Sequence, residues 1–156
     1  MLNYKNNKPY IEGISVDDII KLHPTPLYVY SQECIASRYS YLKKHLNAEI
    51  FYALKANSNQ AIIKLMNSLG AGADVVSIGE LKRALNAGID PKKIIFEGVA
   101  KTDGDILFAI ENNIRLINIE SNEELQKINS IASSLNKVVD VGVRINPNID
   151  GKMLDK

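Results

Sequence analysis

The chain has no tryptophan, a single cysteine and two histidines in 156 residues, and each scarcity closes off a class of function. A lone Cys34 allows no internal disulfide framework and fits a reducing compartment. His23, His45 and that one thiol form no cluster with metal-ligand spacing, so no metal is expected. No apolar run approaches the roughly 20 residues that a membrane-spanning helix needs, and Met1-Leu2-Asn3-Tyr4-Lys5 has no signal-peptide core. Neither sign of charge predominates, with 19 Lys and Arg against 18 Asp and Glu. That balance gives no electrostatic case for nucleic acid or an anionic membrane as partner. The phosphate-loop, dinucleotide-loop and nucleophile-elbow signatures are absent too. A cytoplasmic protein with no nucleic-acid and no membrane partner is the expectation.

What is present is ordinary globular material, 46% hydrophobic and 24% charged. From about residue 50 the sequence alternates apolar runs with helical stretches. The runs are Glu49–Leu54, Ala73–Val76, Lys93–Phe96, Arg115–Ile119 and Val138–Ile145. Short, β-branched and continuously apolar, they suit strands of a parallel sheet buried on both faces. Between them, apolar residues recur at helical spacing, and Gly70-Ala71-Gly72 and Gly88 mark two helix ends. Ser77 to Glu80 and Ser121 to Glu124 match the capping-box pattern; Ser58 and Thr102 serve as simple caps. Strand and helix alternate four times before a fifth strand, which defines an α/β fold.

Residues 1–48 read differently, as a lead-in of helix, strand and helix. A short helix starts at Ser15 and stops before Pro24, Pro26–Tyr30 forms a strand outside the barrel rhythm, and Gln32–Leu46 forms a helix. Residues 49–156 carry the βα units.

In such folds functional groups collect beyond the C-terminal ends of the strands. Lys55, Ser77 and Glu80, Glu97 and Lys101, Asn118 to Ser121, and Arg144 with Asn146 all fall there. Lys55 falls inside an apolar strand, where a lysine is almost never fully buried unless paired or functional. Burial disfavours an ammonium and favours the neutral amine that Schiff-base chemistry requires; a strand-end lysine reaching into water explains the position equally well. Asp74, inside Ala73-Asp74-Val75-Val76, is either a helper to that lysine or a residue bonded to backbone. Arg144 lies in an apolar run and calls for a fixed anionic partner.

Tyr52-Ala53-Leu54-Lys55-Ala56-Asn57, Gly72-Ala73-Asp74-Val75-Val76-Ser77 and Gly79-Glu80-Leu81 together resemble the fold-type III pyridoxal-phosphate-dependent decarboxylases. Phe96-Glu97-Gly98-Val99-Ala100-Lys101-Thr102, Ile119-Glu120-Ser121 with Glu124-Leu125, and Val143-Arg144-Ile145-Asn146-Pro147 extend the likeness from about Pro26 to Asp150. Within that group the diaminopimelate decarboxylases are most similar.

The resemblance implies the N-terminal part of a (β/α)8 TIM-like barrel, about five strands and incomplete, preceded by a strand that in the family joins a separate β-domain. It implies pyridoxal 5'-phosphate as cofactor, in Schiff base on Lys55, with Lys55 and Asp74 catalytic and with Lys55, Asp74 and Arg144 holding the cofactor. The implied reaction is decarboxylation of meso-diaminopimelate to L-lysine, with a small-molecule amino-acid substrate and a homodimer in the full-length family. Two alternatives stay open. One is another decarboxylase of the group, acting on ornithine, arginine or carboxynorspermidine; the other is a non-catalytic remnant or assembly module. The family's phosphate loop and ring-nitrogen partner have no counterpart in these residues. The expectation is therefore a truncated chain, inactive in decarboxylation alone.

Overall fold

The computed structural model describes residues 2–147, which form two compact units divided between Glu49 and Ile50. In the first unit, strands β1 (Leu2–Lys5), β2 (Lys8–Ile11) and β3 (Ile14–Ser15) form an antiparallel meander. Its two turns are two residues long, Asn6-Asn7 and Glu12-Gly13, and all four residues have positive φ. That geometry matches the right-handed twist of paired strands, and Asn and Gly adopt it at little cost. Ser15 and Ser31 accept the first free amides of helices α1 (Val16–Leu22) and α2 (Gln32–His45). The carboxylate of Glu12 also takes the Ser31 hydroxyl and the Glu33 amide, tying the second hairpin turn to the start of α2.

This departs from the sequence expectation in two places. The meander occupies residues ahead of Ser15 for which no strands are expected, and Pro26–Tyr30 forms no strand. An extended segment becomes a strand only when a neighbour takes its amides and carbonyls, and no described segment pairs with Pro26–Tyr30.

The second unit is a repeated βα structure. Its elements are β4 (Phe51–Ala53), α3 (Gln60–Ser68), β5 (Gly72–Val75), α4 (Ile78–Asn86), β6 (Ile94–Phe96), α5 (Asp103–Glu111), β7 (Leu116–Ile119), α6 (Asn122–Ser134) and β8 (Val141–Val143). The five strands are parallel and lie in chain order. A doubly wound sheet reverses direction partway; this one advances one strand at a time, as the early strands of a (β/α)8 barrel do. One apolar core joins Ala73, Val75, Ile94, Phe96, Ile117 and Ile119 to helix residues including Ile63, Leu81, Ile106 and Ile128. The residues alternating with these strand positions, Asp74, Ile95, Leu116 and Asn118, face the other way and stay outside that core.

All four helices of the second unit end alike. The residue after the cap takes a left-handed conformation, Gly70, Gly88, Asn113 and Asn136 in turn. Its amide and the next one return to carbonyls of the last turn, as in Ala71 to Met66 and Ile89 to Ala84. The fifth strand is shorter than its apolar run suggests. Val138 is fully exposed, and pairing with β7 covers only Val141–Val143.

Candidate active site

The site is built where the five strands end. Ala53, Asp74, Ile95 and Leu116 are successive partners across β4 to β7 and form one row on the inner face of the sheet. The Glu97 amide donates to the Val75 carbonyl at 2.8 Å, extending the ladder past β6. Glu97, Asn118 and Gly142 thus form a second row, one step nearer the strand ends.

Lys55 does not lie inside a strand. The chain leaves β4 at Ala53, and Lys55 is the middle residue of a 3-10 turn over Leu54–Ala56. Leu54 is fully buried, whereas Lys55 is exposed. The apolar run continues through Leu54 because that side chain enters the core after strand pairing has ended. Two contacts hold the loop: the Tyr52 hydroxyl donates to the Asn57 carbonyl at 2.9 Å, and the Arg83 Nη1 to the Ser58 carbonyl at 3.1 Å. The following helix is capped by Asn59, which accepts from the Ala61 amide, and not by Ser58.

Asp74 stands in the next strand. Its Oδ1 is buried and has no hydrogen-bond partner among the described residues. Burial pushes its carboxyl above the ordinary aspartate range, the Glu97 carboxylate adds to the push, the Lys55 ammonium opposes it, and Glu80 adds a little more. Asp74 is therefore no backbone-bonded strand terminus. An outward-reaching amine beside a buried, unpartnered carboxyl oxygen fits a cofactor that presents a carbonyl to the amine and a polar group to the acid.

The remaining strand-end residues divide into two groups. Glu80 and Glu124 work on backbone. Each is the third residue of its helix, and each carboxylate accepts the amide one residue before the cap, Val76 at 2.9 Å and Glu120 at 2.8 Å. Ser77 and Ser121 take the Glu80 and Glu124 amides in return. The reciprocal box closed on the cap residue itself is at Thr102 and Asp105.

Lys101 is the site's internal cation. Its side chain is almost wholly buried, and Nζ donates to the Gly98 and Asn118 carbonyls at 2.7 Å and to Glu124 Oε1 at 2.9 Å. A loop lysine reads as solvated in sequence; here three elements supply its acceptors. Arg144 falls one residue beyond β8, is 60% exposed and donates to Glu120 Oε1 at 3.1 Å. The anionic partner expected for it is Glu120.

One pair was not evident from the residues singly. Asn118 Nδ2 donates to Glu97 Oε1 at 2.8 Å across the second row. Gly142 makes room for it, since a Cβ there would collide with Asn118 Oδ1 and meet Leu116 Cδ2 at 3.2 Å. The signal available in sequence was the isolated glycine of Val141-Gly142-Val143, which marks a close approach within a strand.

A parallel barrel segment with an exposed lysine and a half-buried acid on adjacent strands defines a class of cofactor-binding domain. Residues 32–155 match the family described as pyridoxal-dependent decarboxylase, pyridoxal binding domain, and the chain belongs to that family. It is 43% identical to a diaminopimelate decarboxylase of Aquifex aeolicus over 97% of this chain and 36% of that protein. Among solved structures it is similar to the diaminopimelate decarboxylase of Helicobacter pylori complexed with L-lysine. There the identity is 44% and the TM-score 0.84, covering 87% of this chain and 35% of that one. The diaminopimelate decarboxylase of M. jannaschii matches at 39% identity and a TM-score of 0.86, covering 97% and 37%. The chain thus spans a little over a third of the length of these relatives. No helix among the described residues is long and apolar enough to cross a membrane.

Proposed function

We propose that this chain provides the lysine-bearing part of a pyridoxal 5'-phosphate site that decarboxylates meso-diaminopimelate to L-lysine. The observation that carries the reading is the buried, unpartnered Oδ1 of Asp74 beside the exposed Lys55. When bound, the cofactor supplies an electron sink for the carbanion left by departing carbon dioxide. Lys55 would hold the cofactor through its side-chain amine, and Asp74 would take or return a proton at Oδ1. Arg144, aimed by Glu120, would help to hold the cofactor. Tyr52 and Arg83 keep the Lys55 loop in place.

The substrate class rests on identities of 43–44% to diaminopimelate decarboxylases. A cytoplasmic setting and a homodimer accompany this reading.

Two measurements test it. The purified chain is incubated with pyridoxal phosphate, reduced with borohydride and mapped by mass spectrometry. Label concentrated on Lys55 is expected, and label spread evenly over the lysines would refute the cofactor assignment. Replacing the matching segment of the Aquifex aeolicus enzyme with residues 26–147 is expected to keep carbon dioxide release from meso-diaminopimelate. A chimera that folds but prefers ornithine or arginine would overturn the substrate class.

A further inference from the structure

Three consecutive residues at the end of β7 are gripped from three sides. The Asn118 carbonyl accepts from Lys101 Nζ at 2.7 Å, the Ile119 carbonyl accepts the Arg144 amide at 3.1 Å, and the Glu120 amide donates to Glu124 Oε2 at 2.8 Å. Glu120 and Arg144 then meet through their side chains, Nη1 of the arginine donating to Oε1 of the acid at 3.1 Å. The segment that Lys101 and Glu124 hold is the one that aims Arg144.

The four charges run from the interior to the rim. The Lys101 side chain keeps 1% of its exposure, Glu124 12%, Glu120 19% and Arg144 60%. Register sets the outer link. Asn118 pairs with Gly142 and Ile119 with Val143, so Glu120 and Arg144, one residue further on, share the inner face with Asn118 and Gly142.

An exposed ion pair alone holds a long side chain weakly, because it is screened and must overcome rotamer freedom. The Arg144 pair differs in that its carboxylate stands on backbone fixed by a buried ammonium. Lys101 has three N–H donors, and the Gly98 carbonyl, the Asn118 carbonyl and Glu124 Oε1 take them. Lys127, one turn further along α6 than Glu124, is engaged by Asp103.

We infer that Lys101 is a positioning residue for Arg144: through Glu124 and the Asn118 carbonyl it fixes the strand end from which Glu120 aims the guanidinium. That Arg144 then meets a cofactor rests on the reading above; its placement by Lys101 does not.

The guanidinium nitrogens of Arg144 are observed by NMR in the full 156-residue chain, labelled at arginine nitrogen and free of cofactor. Donation from Nη1 to a fixed carboxylate slows rotation of the group and makes its two ends inequivalent. Arg83, which donates from its own Nη1 to the Ser58 carbonyl, is the internal control. Glu120→Ala sets the scale, with loss of the Arg144 inequivalence expected. Lys101→Met leaves both members of the outer pair in place, and the same loss is expected at Arg144 with the Arg83 signals unchanged. Combining Lys101→Met with Glu124→Gln leaves no unpaired charge in the interior and is expected to give that loss too, which covers the case of a single variant that does not fold. An Arg144 signal like that of the parent in either folded variant overturns the inference. So does equal loss at Arg83 and Arg144, or failure of both variants to fold, since Lys101 then supports the fold at large and not Arg144 in particular. Retention of pyridoxal phosphate after dialysis is scored separately. Retention unchanged in Arg144→Ala, with the loss at Arg144 in Lys101→Met intact, refutes the cofactor role of Arg144 and leaves its positioning standing.

Discussion

Lys101 and Glu124 form an ion pair at 2.9 Å in which the lysine side chain retains 1% of its exposure. The two oxygens of Glu124 divide their work, Oε1 on Lys101 and Oε2 on the Glu120 amide. The same lysine holds the Gly98 and Asn118 carbonyls, so one buried charge ties together the β6–α5 loop, β7 and α6. Removing one partner leaves the other buried and uncompensated. Lys101→Met is expected to cost about 3–5 kcal/mol, read as a lower urea midpoint, and adding Glu124→Gln is expected to cost less than the sum of the two single changes.

Gly142→Ala places a methyl group against Asn118 Oδ1 and Leu116. Overpacking of this kind costs about 1–3 kcal/mol. Adding Asn118→Ala removes the obstacle and is expected to recover part of the loss in the same denaturation experiment.

Asp74 makes stability fall with pH. Its folded-state value is raised, chiefly by burial, so below the unfolded value of about 3.9 both states hold the proton and nothing is lost. As pH rises from there through the folded value, the unfolded chain ionises first and gains ground. Asp74→Asn is expected to flatten this slope and to gain stability relative to the parent as pH rises. A denaturation midpoint followed from pH 3 to 8 checks it, and an unchanged slope in the variant contradicts the sign.

Arg144→Ala removes an exposed pair with Glu120. Such pairs contribute about 0–1 kcal/mol, so the thermal midpoint is expected to stay close to that of the parent. Retention of pyridoxal phosphate after dialysis is expected to fall in the same variant. Equal retention would remove Arg144 from the cofactor site.

Local signals in the sequence foretold the repeat better than the site. Gly70 and Gly88 mark two helix exits openly, but Asn113 and Asn136 make the same exit with a residue that adopts left-handed geometry less freely than glycine. The meander went unread, because its first turn is made by Asn6-Asn7 and not by a glycine-bearing hairpin dipeptide. The resemblance pointed to Lys55, but its turn was hidden, because an apolar run shows where burial persists and not where pairing stops. Burial of Lys101 and the bond from Asn118 to Glu97 were not legible. Both depend on which loop lies beside which strand, and that follows only from the order of the strands in the sheet.

The alternation along β5 also sets how this protein tolerates change. Ala73 and Val75 belong to the packed side, and Asp74 between them belongs to the chemical side. Substitutions at one set leave the other in place, so the reactive surface and the scaffold are free to vary separately. A one-residue deletion before Asp74 abolishes that freedom. It turns a carboxylate into the hydrocarbon layer beneath the helices and presents a valine to Lys55, so a single frame slip within the strand loses fold and reactivity together.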